Sequence, residues 1–158
     1  MTYRTIRLSL RLALLLAAVI LPTWNATADG LDVDVRGGAY ADAEGPFFGA
    51  GLLTPLGGSG HWYFNPNAEA AFGDRQNVVS ANLDVHYDLP ADTAWTMWVG
   101  AGPALIDRDP DAGVNDVKDG FDLGANLLFG AGARRGQYRP FLQSKVTVSD
   151  DTEVVLAA

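Results

Sequence analysis

Residues 78–90 read VVSANLDVHYDLP, and their alternation decides the fold. Taken by twos, Val79, Ala81, Leu83, Val85 and Tyr87 fall on one face, and Ser80, Asn82, Asp84, His86 and Asp88 on the other. A strand repeats every two residues and a helix about every 3.6, so this is a β-strand with one apolar and one polar face. Two architectures accept such a strand. A soluble barrel turns the apolar face inward; a membrane barrel turns it outward into lipid and lines its lumen with the polar face.

Outward from this strand the chain breaks into further short β stretches with turn chemistry between them. The eight expected strands cover 31–40, 46–53, 61–72, 78–90, 94–106, 120–133, 138–148 and 152–158, with Pro66 and Asn67 suggesting a bulge in the third. TPLGGSG (54–60), GDRQ (73–76), LPADT (89–93), RRGQ (134–137) and SDD (149–151) supply the Gly, Pro, Asp and Asn that chain reversals need. One connection is long, the acidic stretch 107–119. An even number of strands joined as hairpins suits an up-and-down antiparallel barrel.

Ahead of the strands, Arg4, Arg7 and Arg11 precede the apolar run LALLLAAVIL (12–21), and Ala26-Thr27-Ala28 makes a small-residue cleavage site. This is the pattern of a secretory signal peptide over 1–28, leaving 29–158 as one domain. Of the eleven basic residues three fall in that segment, and none of the nineteen acidic ones does, so the remainder carries a net charge of −11. So acidic a chain argues against nucleic acid as a partner. It has no cysteine, which excludes disulfides, thiolate metal sites and a Cys nucleophile. No second apolar run of about 20 residues follows, so any membrane insertion is by strands.

Three features favour lipid outside. On the strand map Trp62, Phe64, Tyr87, Trp95, Phe129 and Tyr138 gather at one set of strand ends, with Tyr40, Phe47, Phe48, Phe72 and Phe121 at the other, like the two aromatic girdles of a membrane barrel. The polar face is poor in Lys and holds Asp32, Asp34, Arg36, Glu69, Asp84, His86, Asp122, Asn126, Gln143 and Lys145, a set suited to a narrow lumen of paired charges. Gly49, Gly51, Gly100, Gly102, Gly124, Gly130 and Gly132 sit inside strands, where a small crowded barrel gives them a place.

The signal-like start, HWYFNPNAEAAFGD (61–74), VVSANLDVHYDLP and WTMWVGAGPAL (95–105), with its aromatic-Val-Gly-Ala-Gly run at 98–102, resemble the small outer-membrane β-barrel superfamily of Gram-negative bacteria. The resemblance covers the whole chain after residue 28 and implies an eight-stranded antiparallel transmembrane β-barrel in the cell outer membrane. Its partners would be outer-membrane lipid, lipopolysaccharide and the barrel-insertion machinery, with the chain a monomer. Such chains usually close on an aromatic residue; this one ends Val154-Val155-Leu156-Ala157-Ala158, which implies either a truncated chain or an atypical insertion signal.

Little chemistry is expected. His61 and His86 have no metal-ligand spacing. Ser80 shares a strand face with His86, but six residues of strand put it about 20 Å away, too far to be activated; nothing in the sequence marks Ser144 or Ser149. The carboxylates of 107–119 open like a calcium loop, yet glycine comes one place late and Lys118 stands where the bidentate Glu belongs. The expectation is therefore a barrel with a structural or surface-interaction role, no conducting pore, no cofactor, no metal site and no catalytic residues. The alternatives are a soluble periplasmic barrel holding a small apolar ligand, or a lipid-A-modifying hydrolase.

Overall fold

The computed structural model describes residues 31–111, 120–133, 140–149 and 153–158. The expected signal peptide, residues 112–119 of the acidic loop, the RRGQ turn and Tyr138 lie outside them. Eight strands are present among the described residues: β1 (Asp32–Tyr40), β2 (Gly45–Leu56), β3 (Trp62–Phe72), β4 (Gln76–Asp88), β5 (Trp95–Pro110), β6 (Gly120–Ala133), β7 (Phe141–Val148) and β8 (Glu153–Ala157). Each pairs antiparallel with its sequence neighbours, and β8 returns to β1 through Gly38↔Ala157, Ala39↔Leu156 and Tyr40↔Val155, closing the barrel. One end, here the turn end, carries Asp32, Leu56, Trp62, Asp88, Trp95, Ala133 and Phe141; the other is the loop end.

The polarity is inverted relative to a soluble protein. Outward positions such as Phe48 (68% exposed), Leu123 (76%), Leu127, Leu142 and Leu156 are apolar and uncovered, while Asn67, Asp84, Asn126 and Lys145 are buried inside. On β4, Ser80, Asn82, Asp84 and His86 line the lumen, and Leu83 is exposed outside. Val79 departs from this: its register faces it outward, yet it is 2% exposed, as is its cross-strand partner Asp107.

Strand boundaries differ from the sequence expectation in one informative place. β4 starts at Gln76, so β5 finds partners as far as Pro110 (Gln76↔Pro110, Asn77↔Asp109), and Asp107 and Asp109 belong to a strand instead of the loop. The bulge expected at Pro66 and Asn67 is absent, because β3 keeps one register with β4 from Trp62↔Tyr87 to Phe72↔Asn77. Proline acts on the other neighbour. With no N–H at Pro66, the β2–β3 ladder lapses between Gly51↔Asn67 and Thr54↔Phe64, and the Asn65 side-chain amide donates to the stranded Leu52 carbonyl at 2.8 Å. In the β2–β3 turn, Gly57 (φ 68°) and Gly60 (φ 69°) take the left-handed conformation that favours glycine.

The aromatic girdles are partly as expected. Trp62 and Trp95 at the turn end, and Phe48, Phe72 and Phe121 at the loop end, are exposed on the outer face. Tyr40 and Phe47 instead point inward. Their rings meet edge to face at 5.3 Å, and with Val78, Ile106 and Val155 they form an apolar cluster that fills the lumen at the loop end.

Candidate functional site

Below that cluster the lumen holds a charge network. Lys145 from β7 and Arg36 from β1 converge on Glu69 of β3, Arg36 Nη1 at 3.5 Å, and Tyr40 donates its hydroxyl to Glu69 at 2.8 Å. Arg36 also grips Asp34 with two donors, Nε at 2.8 Å and Nη2 at 2.5 Å, and gives Asn65 a bond of 2.8 Å. Each of these buried charges thus has an opposite charge, and Arg36 and Glu69 have further hydrogen bonds, which is what burial demands. Next to it runs a relay of amides. Asn126 and Asn67 donate to the two oxygens of Asp84 at 2.8 and 2.9 Å, Asn126 also donates to Asn82, Asn82 to Asn67, and Thr147 to Asn126. Four strands contribute to the relay. A carboxylate takes two donors and each amide both gives and accepts, so little of the relay's hydrogen-bonding capacity is left over.

The strand glycines make this filling possible. A Cβ at Gly49 would stand 2.8 Å from Glu69 Cγ and 3.1 Å from Arg36 Cγ. At Gly51 it would stand 2.7 Å from Asn67 Cβ.

Toward the turn end the lumen widens into a cavity of about 800 Å³. One wall is a run of rings from four strands. Tyr63 and His86 lie 5.4 Å apart, His86 stacks on Trp98 at 5.7 Å and 28°, and Trp98 meets Phe141 at 6.2 Å. The indole occupies the space over Gly130, where a Cβ would collide with it, reaches to 3.2 Å from where a Cβ on Gly132 would stand, and donates to Gln143 Oε1 at 3.1 Å. Asp34, Arg36 and Asn65 face the cavity from the opposite side.

The sequence singled out four other candidates, and the structure separates them. Ser80 Oγ lies 3.4 Å from the Tyr40 hydroxyl and accepts from Asn82 at 3.2 Å. Ser144 donates to the Phe129 carbonyl, and Ser149 accepts from Arg108 at 2.9 Å. His61 is at the turn end, with Nδ1 3.2 Å from the Asp88 carbonyl. None of these hydrogen bonds joins a serine to a histidine. Of the acidic loop, Asp107 and Asp109 lie in β5, Asp111 donates its backbone N–H to the Arg75 carbonyl at 2.9 Å, and the remainder is outside the described residues.

The barrel has a match among solved structures. The chain is similar in fold to Neisserial surface protein A. The two are 12% identical with a TM-score of 0.56, over 80% of this chain and 90% of that one. No family model matches the sequence, and no curated protein does. The likeness therefore shows the fold, a closed eight-stranded antiparallel barrel.

Sequence reasoning placed Arg36, Glu69, Asp84, His86, Asn126, Gln143 and Lys145 in the lumen, where they are found. It overlooked Asn65, Asn67, Thr147 and Trp98. Asn65, Asn67 and Glu69 alternate at i, i+2 and i+4, as do Gln143, Lys145 and Thr147, and Trp98 shares parity with Gly100 and Gly102, so strict alternation would have found all four.

Proposed function

We propose that this chain is an integral outer-membrane β-barrel protein with a structural or surface-interaction role, without a conducting pore and without enzymatic activity. The observation that carries the reading is the inverted polarity: a continuous apolar exterior around buried charges is stable only where the surrounding solvent is itself apolar. In water the same exterior would be an extended apolar patch of the kind that drives aggregation, which counts against the soluble, ligand-carrying alternative.

The absence of conduction follows from the filling. Arg36, Glu69 and Lys145 bridge the lumen, and the Tyr40–Phe47 cluster blocks it at the loop end. The acidic composition suits a surface held among lipopolysaccharide and divalent cations, with lipid as the principal partner, insertion by the barrel-assembly machinery and a monomeric state. Fractionation of the exported protein tests the reading. Recovery in the outer membrane, with faster gel migration in unboiled than in boiled detergent samples, is expected. Recovery in the soluble periplasm without detergent rejects it.

A further inference from the structure

The filling of the lumen is uneven. In its middle the charges and amides satisfy one another, but around the indole at the turn end several side-chain polar atoms have little or no protein partner and open onto the cavity. Gln143 is buried and spends Oε1 on the Trp98 N–H, while its Nε2 makes no hydrogen bond among the described residues. Thr96 is buried with one long bond, 3.4 Å to the Met97 carbonyl. His86 Nε2 stands 3.6 Å from Asp88 Oδ1, beyond hydrogen-bond distance, and no hydrogen bond engages Nδ1. All three side chains line the 800 Å³ cavity beside the faces of Trp98 and Phe141.

We infer that this cavity is a binding site for a small neutral aromatic compound bearing a hydroxyl or carbonyl group. The ring lies against Trp98 and Phe141, and its polar substituent meets the free amide of Gln143 and the hydroxyl of Thr96. A few convergent polar atoms on an otherwise apolar cavity wall, with hydrogen-bonding capacity to spare, are where a ligand's polar edge would go. The class follows from what else the wall offers. Asp34, Arg36 and Asn65 are committed to one another at 2.5 to 2.8 Å, and the other two carboxylates of the wall, Asp32 and Asp88, have partners of their own, so the wall offers an ion neither free donors nor a free carboxylate. A sugar, with a hydroxyl on nearly every carbon, needs more free partners than Gln143, Thr96 and His86 supply. An aromatic ring with one polar substituent needs two or three, and gains from stacking on the indole.

The test uses the barrel refolded in detergent and titrated with 2-naphthol, read as quenching of tryptophan fluorescence, with Gln143→Leu and Thr96→Val alongside. Saturable binding of one molecule per barrel is expected, weakened at least about tenfold by loss of the Gln143 amide. Thr96→Val is the second variant should Gln143→Leu not fold, and the same direction of change is expected of it. Uptake that rises linearly and equally in all three proteins is partition into detergent and overturns the inference, leaving a hydrated vestibule. Saturable binding indifferent to both substitutions also overturns it. So does saturable binding of methyl β-glucoside in place of 2-naphthol, which would make the site one for sugars.

Discussion

Lys145 on β7 pairs with Glu69 on β3, four strands away around a ring of eight, so the ion pair spans the barrel's diameter with both side chains 1% exposed. Such a pair locks opposite walls together, and its energetics are lopsided. Replacing both charges with apolar groups of similar size is often tolerated, whereas removing one leaves the other buried and undercompensated. Lys145→Met is expected to destabilise the folded barrel by about 3–5 kcal/mol in urea titrations from lipid vesicles. Adding Glu69→Gln to Lys145→Met recovers most of that loss. Equal costs for the single and double variants would mean that the pair is not coupled across the lumen.

The outer face gives a second prediction. Leu83 is exposed at the middle of β4, opposite Pro66, and Leu56 is exposed at the turn end of β2. If the exterior meets hydrocarbon, the cost of a charge depends on depth. Leu83→Arg should cost about 2–4 kcal/mol, and Leu56→Arg about 0–1 kcal/mol, in the same vesicle titrations. Indistinguishable costs at the two sites would put neither in a bilayer.

Much of this was legible in the sequence, for a physical reason: the period of a strand is two, and a barrel sorts its side chains by parity alone. The charges at 34, 36, 69, 84 and 145 could be placed inside without knowing any partner. Who pairs with whom could not, because Lys145 and Glu69 meet only once the ring has closed. The girdle assignment failed at Tyr40 and Phe47 for a related reason. Both sit near strand ends, where aromatics collect, but their parity matches Arg36 and Gly49, and parity wins. Pro66 misled in the opposite direction, because a missing N–H was read as a bulge when the neighbouring Asn65 amide repairs the ladder instead.

That repair is testable. Asn65 donates to the Leu52 carbonyl and to Asp34, and accepts from Arg36. Asn65→Ala should therefore cost about 1–3 kcal/mol, the penalty of buried groups left without partners. The same change at Asn77, at the loop end of β4, should be within about 0.5 kcal/mol of neutral. Equal effects at the two asparagines would remove the argument that Asn65 compensates for Pro66.

The last prediction concerns the indole. A Cβ on Gly130 would fall among the Nε1, Cε2 and Cζ2 atoms of Trp98, so any larger residue there must displace a ring that stacks on His86 and donates to Gln143. Overpacking of this kind costs about 1–3 kcal/mol. Gly130→Val is therefore expected to lower stability by that amount and to shift tryptophan emission to the red as Trp98 loses its enclosed setting. The loss is specific to the clash, so Trp98→Leu in the Gly130→Val background should restore part of the stability, although Trp98→Leu alone lowers it. Gly58, whose Cβ would meet nothing within 4 Å, is the control, and Gly58→Ala should change neither quantity. Additive effects of Gly130→Val and Trp98→Leu would show that the glycine is there for some reason other than room for the ring.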